Sequence, residues 1–344
     1  MSDAAALDAI EREYQDHFAR RPRVTRSIER LDGLIGRVSA LLGGDAAATA
    51  KETKERYENE RRLISELQAG GQVARNTHRA NALSNLVQRR YARHYAGKAR
   101  RSRDQAQLRE AAERLQVYLG EMNSLAGSFD HAVFAEARKR HAELLTSIQE
   151  ELTAIPADFA SAQGADRATA LATRANAQFR TYRLNFANKE RGTRRVSLIE
   201  RIVRELTDVE NEMLALQRTG YDDAGHAKNI QIVTDSLKIY KNELAAVRSA
   251  RMNTTDATVY TALAAEANAL FERYRAEFAG RDRKTLNPEP LADIADSLFE
   301  IALHMDETDR TRGGNYEANL FIVLENAWVY EDEISRIEAA KTAS

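Results

Sequence analysis

One phrase, written four times, constrains this chain more than any other feature. Tyr-x-x-x-Phe/Tyr-Ala-x-Lys/Arg-x-Arg-x-Ser/Thr occurs first as Tyr14, Phe18, Ala19, Arg21, Arg23 and Thr25. It returns as Tyr91, Tyr95, Ala96, Lys98, Arg100 and Ser102, then as Tyr182, Phe186, Ala187, Lys189, Arg191 and Thr193. The last copy is Tyr274, Phe278, Ala279, Arg281, Arg283 and Thr285. The second aromatics stand at 18, 95, 186 and 278, so the spacings are 77, 91 and 92. Met122, Met213 and Met305 each follow the second aromatic of their copy by 27 residues. Glu66-Leu67, Glu151-Leu152, Glu243-Leu244 and Glu333-Ile334 mark a second recurring element. Self-similarity at such a period belongs to an array of supersecondary units that bury their apolar faces on one another. The 344 residues therefore divide better into four units of about 86 than into two ordinary domains.

The units are helical. From Val196 onward, Ile199, Ile202, Val203, Leu206, Val209, Met213 and Leu216 recur at three- and four-residue steps, with Glu200, Arg201, Arg204 and Glu205 between them. That is an amphipathic helix of about seven turns. Similar stretches are Ala112–Leu125, Val133–Leu152, Ile230–Val247, Val259–Phe278 and Tyr316–Ile337. Four prolines and 16 glycines are too few turn formers for an all-β chain of this length. The expected fold is all-α, in tandem three-helix bundles. Helix A follows the Ser/Thr of the phrase, helix B ends near the Glu-Leu mark, and helix C carries the Tyr and Phe of the next phrase. Breaks between A and B are expected at Gly43-Gly44, Gly127, Gly220–Gly225 and Gly313-Gly314. Those between B and C are expected at Gly70-Gly71, Pro156–Gly164 and Asn253–Asp256.

This frame gives a lone C-type helix over 1–21, repeats over 22–97, 98–188 and 189–280, and a two-helix partial repeat over 281–344. The plan is similar to the spectrin repeat, in which tandem three-helix units stand end to end and partial units at chain ends complete each other. The likeness lies in the plan alone, since spectrin's helix-A tryptophan has no counterpart here, and Pro22, Gly192 and Pro288 predict bends at most junctions. A final A-B pair leaves an apolar groove, formed by Leu320, Phe321, Val323, Leu324, Trp328 and Ile334. Exposure of such a groove costs about 25 cal/mol per Å², so an occupant is expected: the chain's own first helix, or that of another copy. Charge agrees with either. Residues 1–110 hold 22 basic and 15 acidic side chains, a net of +7, whereas 286–344 hold 4 basic and 13 acidic, a net of −9.

Two readings of the phrase use the same atoms. In the structural one, Tyr and Phe four apart anchor one helix face, the cations meet the helix C-terminus, and the Ser/Thr caps the next helix. Ser102 with Gln105 spells a capping box. In the binding one, arginines beside a helix N-terminus hold a phosphate or carboxylate. The candidate contacts are Arg21, Arg23, Arg90, Arg93, Lys98, Arg100, Arg101, Arg103, Lys189, Arg191, Arg281 and Arg283. The second copy, crowded by Arg89 and interleaved with Tyr91 and Tyr95, is the best placed for nucleic acid or another polyanion.

Chemistry is sparse. With no cysteine there is no thiolate site or nucleophile. The seven histidines form no HExxH and no paired ExxH; Glu300 and His304 alone share a face. His17 and His94 hold one repeat position where later copies have Asn185 and Glu277, which predicts exposed polar sites. No cofactor motif and no run of 18 apolar residues occurs, and the N-terminus lacks a signal-peptide core. The expectation is a non-enzymatic cytoplasmic scaffold that meets a protein partner or itself, with a polyanion-binding module as the alternative and an anionic membrane surface as a lesser one.

Overall fold

A computed structural model describes residues 2–19, 21–69, 71–95, 98–312 and 317–342, without the side chains of 19 and 310–312. Gly70, Ala96, Gly313, Gly314 and Tyr316 lie outside the described residues. Among the described residues there are twelve α-helices and no strand. They are α1 (Asp3–Tyr14), α2 (Ile28–Ser39), α3 (Ala47–Gln68), α4 (Gln72–Tyr95), α5 (Gln105–Leu125) and α6 (Ala132–Ser161). Then come α7 (Gly164–Phe186), α8 (Val196–Arg218), α9 (Ala224–Met252), α10 (Asp256–Glu277), α11 (Pro288–Arg312) and α12 (Glu317–Thr342). None of them is long and apolar enough to cross a membrane.

Each phrase ends in a short 3₁₀ turn: Arg23–Thr25, Arg100–Ser102, Arg191–Thr193 and Arg283–Thr285. The phrase Ser/Thr is not the N-cap that the sequence suggests. Thr25, Thr193 and Thr285 donate their hydroxyls to the carbonyls three residues back, at 2.8, 2.9 and 2.8 Å. The caps come later: Ser27 accepts from the Arg30 N–H, and Asp104 from the Gln107 N–H, so Ser102-Gln105 is not a capping box. A 3₁₀ turn consumes the hydroxyl locally and moves the helix start along the chain. Pro288 opens α11, where a missing N–H costs nothing. Pro156 lies within α6, and the break falls at Ala162, inside the expected Pro156–Gly164 span.

Packing follows chain order: α4 on α5 and α6, α5 on α6, α7 on α8, α8 on α9, and α10 and α12 on α11. Three apolar cores result. One joins α4, α5, α6, α10, α11 and α12 with Leu63 and Leu67 of α3; a second joins α7–α9 with Phe159 of α6; a third lies in α1–α3 with Phe18. Two helices are enclosed. Every residue of α11 from Ile294 to Asp306 is buried, as is every residue of α4 from Thr77 to Ser84.

The expected terminal groove is occupied. Leu320, Phe321, Leu324 and Trp328 are all buried. The occupant is α4, neither α1 nor a second chain: His78 lies against Phe321 and the Arg89 guanidinium over the Trp328 ring. The segment that follows α1 reaches α12 through surface ion pairs, Arg21 with Glu325 at 3.5 Å and Asp16 with Arg336 at 3.7 Å.

Candidate functional site

The four phrases build one geometry. Each turn arginine forks onto a glutamate of the helix that follows next but one. Arg23 meets Glu60 through Nε at 3.0 Å to both oxygens. Arg100 spans Glu151 at 3.2 and 3.0 Å, Arg191 spans Glu243 at 2.9 and 3.0 Å, and Arg283 spans Glu333 at 2.7 and 3.0 Å. A planar guanidinium and a planar carboxylate match in such a fork, which fixes orientation as well as distance. The Arg191 hydrogen bond outweighs partial burial and holds the Glu243 carboxyl below its ordinary range. Arg26, Arg103 and Arg194 add a second guanidinium to the same carboxylates, while the fourth copy has the buried Leu286 there.

One turn of helix before the glutamate, a tyrosine stacks on the first tyrosine of the phrase. Tyr14 lies on Tyr57 with centroids 4.6 Å apart, and Tyr182 on Tyr240 and Tyr274 on Tyr330 at 4.1 Å each. The second copy has Ile148 in place of that tyrosine. In the first copy Glu60, not Glu66, takes the carboxylate's place. The Tyr-x-x-Glu spacing shared by Tyr57-Glu60, Tyr240-Glu243 and Tyr330-Glu333 was the signal that would have found it.

Other candidate cations are also engaged, Lys98 apart. Lys189 reaches Glu266 on α10 at 2.6 Å, and Arg101 reaches Asp166 on α7 at 3.0 Å. Arg281 donates to the carbonyl of Ala276 at 2.6 Å. Lys98 is exposed, and its ammonium is held below lysine's ordinary range by partial burial and then by Arg180 and Arg93.

Arg90 and Arg93 belong to a different assembly, an ionic cluster on α11. Arg93 spans Asp296 and Glu331 at 2.7 and 2.8 Å, and Arg90 meets Glu300 at 2.6 Å. From α8, Arg201 reaches Glu300 at 3.4 Å, and Arg195 just before it contacts Glu300 and also Glu307 at 2.8 Å. From α5, Arg114 contacts Glu307. Burial opposes ionisation of Glu300, but Arg201, Arg90 and Arg195 around it hold its carboxyl well below the ordinary range. Burial likewise opposes Glu307, yet Arg195 and Arg114 bring it down to about 2. A buried charge is tolerable only when paired this closely.

A second buried group joins α8 to α5 and α7. Glu205 accepts from Arg174 Nε at 2.7 Å and from the Ala106 N–H at the start of α5 at 3.1 Å. Burial, then the nearby Asp104, pushes this carboxyl up to about 8 despite Arg174.

Several histidines lie in the packed interior. His94 is not the exposed site its repeat position suggested; its Nε2 lies 2.9 Å from Asp296. Its counterpart Asn185 is buried and donates to Thr181. Burial pushes His78 and His304 down to about 3, and His141 down to about 4. Glu300 is taken by arginines, and among the described residues no cluster of His, Asp and Glu could hold a metal ion. A cleft of about 230 Å³ between α5 and α8 carries Arg109, Arg114, Arg201 and Arg204 beside Glu110, Glu113 and Glu200, a mixed lining that favours neither sign of ligand.

No family model, no curated protein and no solved structure matches the chain.

Proposed function

We propose that the chain is a non-catalytic, cytoplasmic helical scaffold that works through protein–protein contacts. Its frame is four three-helix units read in the order C-A-B: α1–α3, α4–α6, α7–α9 and α10–α12. The observation that carries this reading is the fourfold fork of Arg23, Arg100, Arg191 and Arg283 onto Glu60, Glu151, Glu243 and Glu333. In every copy the fork ties the turn between C and A to the B helix that follows. The phrase then sits inside a unit rather than between units. Boundaries fall near residues 70, 162 and 254 in place of those read from the sequence.

The charge asymmetry fits this frame as an internal code. The acidic α11 and α12 receive arginines of α4, α5 and the start of α8, so the basic head and acidic tail satisfy each other within one molecule. Buried ion pairs add little net stability but penalise wrong docking, because a misplaced partner leaves a charge unpaired. The same engagement makes the polyanion reading the weaker one. A phosphate at any of the four turns has to displace an intramolecular carboxylate.

Cross-linking of the full chain in extract of its source cells, at physiological salt, tests the proposal alongside melting curves with polyphosphate and single-stranded DNA. The scaffold reading expects cross-links from exposed lysines to protein at reproducible positions, with unchanged melting. A large melting shift with either polyanion, without reproducible protein cross-links, overturns it in favour of the anion module.

A further inference from the structure

Three of the four phrase turns are covered by a C-type helix of the next unit. The turn at Arg23–Thr25 packs on α4, that at Arg100–Ser102 on α7, and that at Arg191–Thr193 on α10. Contact is close: a Cβ on Gly192 would run into Thr254, just ahead of α10. In two cases a basic residue of the phrase pairs with an acid of the covering helix, as Arg101 with Asp166 at 3.0 Å and Lys189 with Glu266 at 2.6 Å.

The fourth turn differs. Its substantial packing is with α12 alone, and residues 281–285 are all exposed. Arg281 and Lys284 hold the positions of Lys189 and Arg101. Among the described residues Arg281 reaches only the carbonyl of Ala276 in its own unit, and the Lys284 ammonium reaches no carboxylate. From the first unit, Asp16, 61% exposed, stands 3.7 Å from Arg336 of α12.

One C-type helix is correspondingly bare. Among the described residues, phrase turns pack on α4, α7 and α10, and none packs substantially on α1. Its outer face shows Ala4, Ala5, Asp8 and Arg12 to solvent. Asp166 lies in the first turn of α7 and Glu266 in the third turn of α10; Asp8 lies in the second turn of α1, within that range.

We propose that the fourth turn of one copy docks on the outer face of α1 in a second copy, with Arg281 and Lys284 against Asp8. The contact repeats between molecules the turn-on-helix packing that joins units within one. It is heterologous, so it extends into a chain of copies or closes into a ring. This rests on the four-unit reading above and names one partner for it.

Light scattering after size exclusion, across protein concentration and salt, tests the contact in the full chain. Wild type is expected to gain mass with concentration and to lose it with salt, because exposed charges are screened. Arg281→Glu with Lys284→Glu weakens association at least tenfold, and so does Asp8→Lys alone. All three positions are exposed, and unchanged melting curves confirm that the variants fold. Mixing the two variants restores association, since each then offers the other an opposite charge. A wild type that stays monomeric throughout, or variants that associate as wild type does, overturns the proposal. Reproducible protein cross-links to a different chain in that case leave the scaffold reading standing, whereas their absence together with a polyanion melting shift removes both.

Discussion

Helices α9 and α12 each accept the fork of a phrase arginine, on Glu243 and Glu333, yet α12 is buried along two faces and α9 along one. Their inner stripes match at a constant offset of 90: Ile230 with Leu320, Val233 with Val323, Leu237 with Ala327, Tyr240 with Tyr330, Leu244 with Ile334 and Val247 with Ile337. That stripe packs on the preceding A helix, α8 in one case and α11 in the other. The second stripe is where they part. Phe321, Leu324 and Trp328 on α12 become Gln231, Thr234 and Lys238 on α9. The first set is buried under α4 and the second is exposed to water. The shared stripe therefore gives both helices the same inner packing, and three side chains on a second face decide which of them also packs on α4.

If that stripe holds α4, emptying it should cost most. Phe321→Ala is expected to lose about 3–5 kcal/mol, the range for a large buried side chain that leaves a cavity. Gln231→Ala, at the matching place on α9, should change stability by less than about 0.5 kcal/mol. Urea unfolding of both variants measures the difference. Similar losses would mean that the two helices are held alike.

Acid should separate the two regions next. His78 and His304 sit beside or on the helices that α12 packs against, with folded-state pKa values of about 3 against an ordinary 6.5. Above 6.5 both states are neutral and pH has no effect through them. As pH falls below 6.5, the unfolded chain takes up protons that the folded chain refuses. Each histidine then removes about 1.4 kcal/mol per pH unit down to its folded value. Glu307, brought to about 2, adds a loss that begins as the unfolded carboxyl protonates near 4.5. Amide exchange should therefore quicken in α11 and α12 between pH 6.5 and 5 before it does in α9. Equal quickening in both would show that the whole chain opens as one.

Much of this was legible in the residues. Helical periodicity located the helices, the phrase gave the repeat, and the apolar run from Leu320 to Trp328 announced a groove in need of an occupant. The occupant was not legible, because α4 meets α12 largely through His78, Arg89 and Arg93. Polar residues on a helix read as a solvated face, and their partners lie more than 200 positions away, where no local spacing records them. The register of the unit was hidden for a similar reason. A helix is equally close in sequence to the one before it and the one after it, and only the packing of α4 on α5 and α7 on α8 shows which neighbour it favours. The turn arginines resembled anion ligands because the glutamates that hold them sit 37 to 52 residues downstream.

The features that the two helices share should respond alike. Tyr240→Leu and Tyr330→Leu each remove one stacked pair at 4.1 Å and keep an apolar side chain on the inner stripe. A loss of about 0.5–1.5 kcal/mol is expected for each, read from paired melts. A markedly larger loss at Tyr330 would show that the second face strengthens the first, so that the unit's lock and the junction are one cooperative structure.

The smallest effect tests where the second face stops. Ile239 on α9 is 61% exposed, while its counterpart Val329 is half-buried against the large core. Ile239→Glu should shift stability by no more than about 0.5 kcal/mol, as an exposed substitution away from any packed contact. Val329→Glu should cost more, since it drives a carboxylate toward apolar neighbours without a partner. If Ile239→Glu proves the costlier of the two, α9 has a covering surface that its packing within this chain does not account for, and the contrast with α12 is one of partner rather than of burial.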